Sequence, residues 1–215
     1  MSAGRVIDIS PRIGAGAPVF PGDTPLSIET AFDPSSGDAV TVCKVTMSPH
    51  TGAHADAPMH VAAGPGDAAS LPLDAFWGLC TVVDVVGLSV IDGPVAARML
   101  RGAGLACERI LFRTQATRLD HFPERFPHFT ADGAATLAAH AGLRLVGIDT
   151  FSVDAPDSKD LPAHRALFRA GIVLLEGLDL SQVRPARYEL VALPLALAGA
   201  DASPVRAALR SMSAL

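Results

Sequence analysis

The stretch Ser48–His60 constrains the fold of this chain more than any other. It places three of the seven histidines and one aspartate at even-numbered positions, namely His50, His54, Asp56 and His60. Pro49, Gly52 and Pro58 interrupt the run, and each disfavours the interior of a helix. We therefore predict an extended segment with a turn at Gly52.

Alternate residues of an extended chain face the same side, so His54 and Asp56 are predicted to point together. The turn at Gly52 can bring His50 back to join them. Neutral imidazole nitrogens and a carboxylate are the ligands that zinc and similar divalent ions accept. The alternative is a set of unrelated surface histidines, which the clustering disfavours. The stretch therefore predicts a metal site.

Two distant residues are further candidates for metal ligands. His164 is predicted to share a helix face with Leu167 and Phe168, which also suits a core histidine satisfied by a hydrogen bond. Glu176 ends the apolar run 172–176, where a carboxylate is costly unless it is paired or bound to a metal. His60 lies past Pro58, so the residues alone leave it open as a further ligand or as a proton-transfer group.

Composition excludes several classes of function. Hydrophobic residues make up 49% of the 215, as expected of a folded protein with a substantial core. A net charge of −5, with one Trp and one Tyr, argues against nucleic-acid binding. The sequence shows no signal core and no apolar run long enough to span a membrane, so we expect no membrane partner and a cytoplasmic location.

Local patterns predict one α/β domain over residues 1–215. Apolar and β-branched runs predict strands near 5–9, 40–47, 81–86, 110–113, 143–148, 172–176 and 189–193. Capping residues and apolar periodicity predict helices near 93–101, 131–142 and 160–171, with a short C-terminal helix after the turn 199–206. Residues 116–130 are predicted to be an irregular loop, with His121 and His128 as surface or packing residues. Trp77 is predicted to lie in the core, and Cys43, Cys80 and Cys107 to be small buried hydrophobes.

The segment from His50 to His60 resembles the H-x-G-T-H-x-D-x-P-x-H signature of the metal-dependent cyclase-like hydrolases, with Ala53 where many members carry threonine. Further resemblance lies in residues 20–25, 147–150, 157–164 and 199–206, and therefore spans nearly the whole chain. The branch it resembles most is that of the bacterial kynurenine formamidases (arylformamidases). The resemblance implies a sheet-rich, barrel-like core with flanking helices, of the swivelling β/β/α type, and a homodimer.

The resemblance also implies the roles of the site residues. It places second-metal ligands at His164 and Glu176 and the catalytic acid/base at His60, while His50, His54 and Asp56 would hold the first metal. Five ligands exceed the three protein groups of a single catalytic zinc, so we expect two zinc ions bridged by Asp56. Manganese or cobalt would also suit nitrogen and oxygen ligands. Zinc lowers the pKa of a bound water to about 7, which would supply a nucleophile without Ser or Cys.

The implied reaction is hydrolysis of N-formyl-L-kynurenine to L-kynurenine and formate in tryptophan degradation. Phe20, on a Pro-Gly turn, is the candidate aromatic wall of the substrate pocket, although it could equally be a core anchor. Family members usually carry tryptophan there. The alternatives are a hydrolase or cyclase of the same family acting on another aryl amide or a lactam, and a metal-binding module without turnover.

Overall fold

A nine-stranded mixed sheet is the main element of the fold. The structure is a computed structural model and describes residues 4–62, 64, 66–104 and 106–212. Within these residues the α-helices are α1 (Gly93–Ala103), α2 (Ala131–Ala138) and α3 (Pro162–Arg169). The strands are β1 (Val6–Asp8), β2 (Ser27–Phe32), β3 (Val42–Thr46), β4 (His54–Asp56), β5 (Trp77–Asp84), β6 (Val90–Ile91), β7 (Arg109–Arg113), β8 (His128–Phe129), β9 (Leu145–Ile148), β10 (Val173–Glu176), β11 (Ala186–Val191), β12 (Ala202–Pro204) and β13 (Ala208–Ser211).

The strand order of the large sheet is β1-β13-β11-β5-β7-β9-β10-β4-β12. Its centre, from β5 to β10, is parallel, and the strands on either side pair antiparallel. β7, β9 and β10 are buried along nearly their whole length. Continuous apolar runs of this kind are typical of parallel strands that are covered on both faces.

Each face of the sheet carries its own hydrophobic core. Ile110, Phe112 and Val146 belong to the core shared with the helices, while Leu111 and Leu145 belong to the core on the other face. α1 packs on α2, and α2 packs on α3. A fully buried side chain such as Phe112 contributes roughly 1.5–3 kcal/mol. The sheet curls into a half-barrel, so the predicted fold class, sheet-rich α/β with flanking helices, is confirmed.

β2 and β3 form a separate two-stranded ribbon whose residues are all exposed. β3 confirms the strand predicted near 40–47, whereas the sequence analysis did not identify β2. The ribbon carries large apolar side chains in solvent, among them Ile28, Phe32 and Val45. Two-stranded hairpins are only marginally stable alone in water.

The predicted C-terminal helix is wrong, because the chain forms β13 there. The Ala-rich segment 207–211 has good helix propensity. However, Ala207 and Leu209 are fully buried at a spacing of two, and the strand pairs with both β1 and β11. Pairing on two sides outweighs local propensity in this segment.

Two further predictions about packing are wrong. Trp77 is 55% exposed and donates a hydrogen bond to Glu189, while the adjacent Phe76 fills the core. Phe76 ends the turn Leu73–Ala75 and Trp77 begins β5, and only Phe76 of this aromatic pair points into the core. Cys80 and Cys107 are buried as predicted, but Cys43 is exposed on β3. In the described part of the chain, none of the helices has the length and apolar character needed to cross a bilayer.

Candidate metal centre

The short strand β4 carries two of the candidate ligands between its neighbours β10 and β12. Antiparallel pairing sets His54 directly opposite Glu176, and sets Asp56 opposite Ala202 on the other side. Because alternate strand residues share a face, His54, Asp56 and Glu176 project to the same side of the sheet. The extended conformation predicted for this segment is confirmed.

Two glycines allow the chain to turn tightly beside β4. Gly52 has φ +71°, in the left-handed region that favours glycine, and the turn returns His50 to within 3.0 Å of Asp56, from Nδ1 to Oδ1. Gly177 follows Glu176, and a Cβ there would lie 2.2 Å from the Gly52 carbonyl oxygen. That oxygen accepts a hydrogen bond of 2.9 Å from Nδ1 of His54. The close approach of these two backbones therefore orients the His54 ring.

His164 reaches the site from α3. Its Nε2 lies 3.2 Å from Asp56 Oδ2 and 3.3 Å from Glu176 Oε1. Asp154 fixes the other side of the ring, with Oδ2 at 2.7 Å from Nδ1. The same carboxylate accepts the backbone N–H groups of Ala163 and His164, and so it also caps the start of the helix.

The candidate ligands form two groups that share one carboxylate. His50 Nδ1 and His54 Nε2 lie 3.0 and 3.4 Å from Oδ1 of Asp56, and His164 Nε2 lies 3.2 Å from Oδ2. The two groups are His50, His54 and Asp56, and Asp56, His164 and Glu176. In each group the candidate ligand atoms lie within 4.8 Å of one another. A carboxylate placed between two sets of ligands is the arrangement that bridges a pair of metal ions.

The carboxylates and histidines of the site shift one another's pKa values. Burial would raise the pKa of Asp56, but the neighbouring His54, His164 and His50 outweigh it and hold the pKa well below its usual range. Burial would lower the pKa of His50, but the adjacent carboxylates of Asp56 and Asp201 raise it to about 9. Burial would also lower the pKa of His164, but Glu176 and other nearby carboxylates raise it well above 6.5. Cationic histidines thus neutralise the buried carboxylates.

Two buried atoms at the centre of the first group support a fit to a metal ion. His54 Nε2 and Asp56 Oδ1 have no hydrogen-bond partner among the described residues, although they lie 3.4 Å apart. An unsatisfied buried polar atom costs about 1–3 kcal/mol. Metal-binding histidines usually have their second nitrogen held by a carbonyl or a carboxylate, as Gly52 and Asp154 do here. The donor set therefore fits a divalent ion of the zinc type.

His60 lies beside both groups on the turn Pro58–His60. Its ring centroid is 4.4 Å from that of His50 and 5.6 Å from that of His164. Its Nδ1 lies 3.1 Å from Oδ2 of Asp201. Ligand atoms of His50, His60 and Asp201 also lie within 4.8 Å of one another, so both roles considered for His60 suit its position.

A cleft of about 440 Å³ opens over the site. Its lining includes His60 and four of the five candidate ligands, namely His50, His54, His164 and Glu176, while Asp56 lies behind them. Its volume falls in the usual range for small-molecule sites. Phe20 lines this cleft and is 53% exposed, so it is not a core anchor. Phe122 packs edge-on against Phe20 at 5.2 Å, and Phe151 lies 4.9 Å from Phe122. Three phenylalanines therefore form one aromatic wall.

Sequence reasoning missed several residues of this site. Asp154 and Asp201, which hold histidine rings, were not identified, although Asp201 lies within the resembling segment 199–206. Phe122 lies in the predicted loop 116–130, whose density of phenylalanines was a usable signal. His121 is exposed and His128 bonds the Phe126 carbonyl, so the prediction that they serve surface or packing roles is confirmed.

A family model described as a putative cyclase matches residues 7–155, more than half of the chain. The chain belongs to the putative cyclase family. The match includes Phe20 and the histidine-rich stretch, while His164, Glu176 and Asp201 of this cyclase-family chain lie beyond it.

Solved structures share the complete fold of this putative cyclase. One, described as a potential metal-dependent hydrolase with cyclase activity, is 30% identical with a TM-score of 0.84, and the match covers 99% of this chain and 100% of that one. A predicted metal-dependent hydrolase from Bacillus stearothermophilus is 31% identical with a TM-score of 0.80, covering 97% and 98%. Isatin hydrolase A from Labrenzia aggregata, bound to benzyl benzoate, is 24% identical with a TM-score of 0.82, covering 95% and 93%, and shows the fold alone.

Proposed function

We propose that this protein is a metal-dependent hydrolase that cleaves N-formyl-L-kynurenine to L-kynurenine and formate. The observation that carries the proposal is the position of Asp56, a buried carboxylate shared by two groups of candidate ligands, whose other members line an aromatic cleft. Similar structures described as metal-dependent hydrolases support the hydrolytic class.

His50, His54 and Asp56 would hold one ion, and Asp56, His164 and Glu176 the other. We propose zinc for both, with manganese or cobalt as alternatives for ligands of this type. Bound ions of this kind polarise a carbonyl and lower the pKa of a water to about 7. The buried ligands keep this chemistry at the floor of the cleft, out of bulk solvent.

His60 supplies the proton that an amide leaving group needs. Hydrolysis forms a carbon–oxygen bond from water, breaks the carbon–nitrogen bond and leaves an amine that must be protonated. Asp201 accepts a hydrogen bond from Nδ1 of His60. Nε2 is therefore the atom that can take a proton from water and pass it to the amine nitrogen. An aryl amine leaves more readily than an alkyl amine, so a single imidazole suffices.

The aromatic wall supports a flat substrate. Phe20, Phe122 and Phe151 offer ring faces and edges within reach of one another on the cleft, an arrangement that suits an aryl ring. The wall lies over the candidate ligands, so a ring bound against it would direct its amide towards the floor of the cleft.

One observation favours a second candidate, hydrolysis of a cyclic aryl amide such as isatin. Among the described residues that line the cleft none is lysine or arginine, whereas Asp23, Glu176 and Asp201 are acidic. The amino group of N-formyl-L-kynurenine would suit such a lining, but its carboxylate would lack a cationic partner. A lactam has neither group. Structures of isatin hydrolases share the fold, which is consistent with this alternative.

Release of formate separates these candidates. The zinc-loaded protein would be offered N-formyl-L-kynurenine, formanilide, an N-formyl alkylamine and isatin, with formate measured for the first three and ring opening by absorbance for isatin. The proposal expects the highest kcat/KM for N-formyl-L-kynurenine. Preference for isatin would favour the second candidate, and no turnover of any substrate would favour a metal-binding module without catalysis.

We also propose that the protein is a homodimer that covers the exposed ribbon. Ile28 and Val45 face each other across it and are 59% and 56% exposed, an apolar surface of the kind that marks an interface. Light scattering of the wild type and of Ile28→Asp tests this. A dimer that the substitution converts to a folded monomer supports the proposal, and a monomeric wild type contradicts it.

A further inference from the structure

One carboxylate oxygen of Asp201 serves two histidines with different candidate roles. Its Oδ2 lies 3.1 Å from His50 Nε2 and 3.1 Å from His60 Nδ1. An ionised carboxylate only accepts hydrogen bonds, so both of these ring nitrogens must carry the hydrogen. In the metal-loaded protein the lone pair of His50 would then be on Nδ1, on the side of Asp56, and that of His60 on Nε2.

The backbone holds Asp201 in place independently of the histidines. The Asp201 carbonyl accepts the N–H of Ala57 at 2.9 Å, immediately before the turn that carries His60. β12 begins at the next residue and pairs with β4. On the other side, Asp67 accepts the N–H of Gly199 at 2.7 Å and fastens the start of the same loop. The carboxylate is therefore placed by sheet pairing and not by the rings that it contacts.

We propose that Asp201 is a positioning residue that fixes His60 as the Nδ1–H tautomer and His50 as the Nε2–H tautomer. The hydrogen bond made by one ring nitrogen of a histidine commonly determines which of the two nitrogens carries the hydrogen. Without Asp201 the His60 ring can turn or exchange its tautomer, and Nε2 then no longer presents a lone pair to the cleft. The effect of this on catalysis rests on the proposed function, but the tautomers themselves do not.

Long-range proton–nitrogen NMR of histidine-labelled protein measures the tautomers directly. We expect His60 of the zinc-loaded wild type to show a protonated Nδ1 and an unprotonated Nε2 near pH 8, assigned by comparison with His60→Gln. Asp201→Ala should abolish this preference. Asp201→Asn, whose side-chain oxygen can still accept, should restore it at least in part. Asp67→Ala removes a carboxylate from the same loop without touching either ring, and should leave the tautomer unchanged because the pairing of β12 with β4 still places Asp201.

Two results would overturn the proposal. The first is an Nε2–H tautomer of His60 in the wild type, or a tautomer that Asp201→Ala does not alter. The second is a zinc-induced shift of His60 Nδ1 typical of a metal ligand, which would place an ion between His50, His60 and Asp201 instead.

Kinetics give an independent readout. Asp201→Ala should lower kcat by about 10–100-fold, the usual effect of losing a group that orients a histidine, while KM changes little. An unchanged kcat alongside an altered tautomer would show that the orientation does not serve the reaction and would reject the positioning role. A wild type that turns over no aryl amide but shows the expected tautomers would instead reject the proposed function and leave the assignment of the tautomers intact.

Discussion

Asp56 Oδ2 lies 3.2 Å from His164 Nε2, which joins two residues that are 108 positions apart in the chain. Asp56 is on a strand and His164 is on a helix, so the pair forms only when the sheet and the helical layer are both assembled. Metal binding at the second group would therefore be coupled to folding, as expected for ligands drawn from separate elements.

Removing one ligand of the second group should remove one ion. We expect elemental analysis of gently purified protein to give two divalent ions per chain, and His164→Ala or Glu176→Ala to reduce this to one. His121→Ala is the matched control, because His121 is an exposed histidine away from the site. A wild-type stoichiometry of one that neither substitution changes contradicts the binuclear arrangement.

His60 should be separable from the ligands. His60→Ala is expected to retain its metal and to lose about 10²–10⁴-fold in kcat, the usual contribution of general acid–base catalysis. His54→Ala should lose metal and activity together, because it removes the buried Nε2 beside Asp56. Metal content and turnover measured on the same samples decide between the roles, and metal depletion in His60→Ala would show that His60 is a ligand.

Phe20 should affect the choice of substrate and not metal binding. Phe20→Ala is expected to reduce kcat/KM for aryl substrates by about 1–3 kcal/mol, as for other apolar specificity pockets, with both metals retained. Phe32 is similarly exposed but lies on the ribbon, so Phe32→Ala is the matched control. Equal steady-state kcat/KM for the Phe20 variant and the wild type would contradict the aromatic wall.

The metal-free protein should lose stability as the pH rises. The pKa of His50 is raised to about 9 when folded, against about 6.5 in an unfolded chain. The resulting stabilisation is therefore fully present below pH 6.5 and is lost as the pH rises through 9, by up to about 3 kcal/mol. Thermal unfolding of chelated protein between pH 6 and 9.5 measures this. His50→Gln should reduce the dependence without abolishing it, because the pKa of His164 is raised as well. A Tm of the chelated wild type that rises with pH would contradict the assignment.

Local chemistry explains which parts of the site the sequence predicted. His50, His54 and Asp56 lie close together in the chain, and Pro49, Gly52 and Pro58 already restrict that stretch to an extended turn. His164 and Glu176 could be proposed because a charged or polar group on an apolar run needs a partner. Their pairing with Asp56 depends on the antiparallel alignment of β4 and β10, which local patterns do not reveal.

Asp154, Asp201 and β13 were not predictable in the same way. Asp154 and Asp201 look like ordinary loop aspartates until the sheet order brings β12 beside β4 and the helix α3 onto β10. The segment of β13 has helix-forming alanines, and its strand conformation depends on partners near the other end of the chain. Long-range pairing decided each of these cases.

Adding zinc back to chelated protein tests whether hydrolysis requires two bound ions. Bound metal and formate release from N-formyl-L-kynurenine would be measured on the same samples as zinc is added. We expect no formate release without metal and maximal release when two ions are bound per chain. Full formate release from protein shown to contain no metal would contradict it.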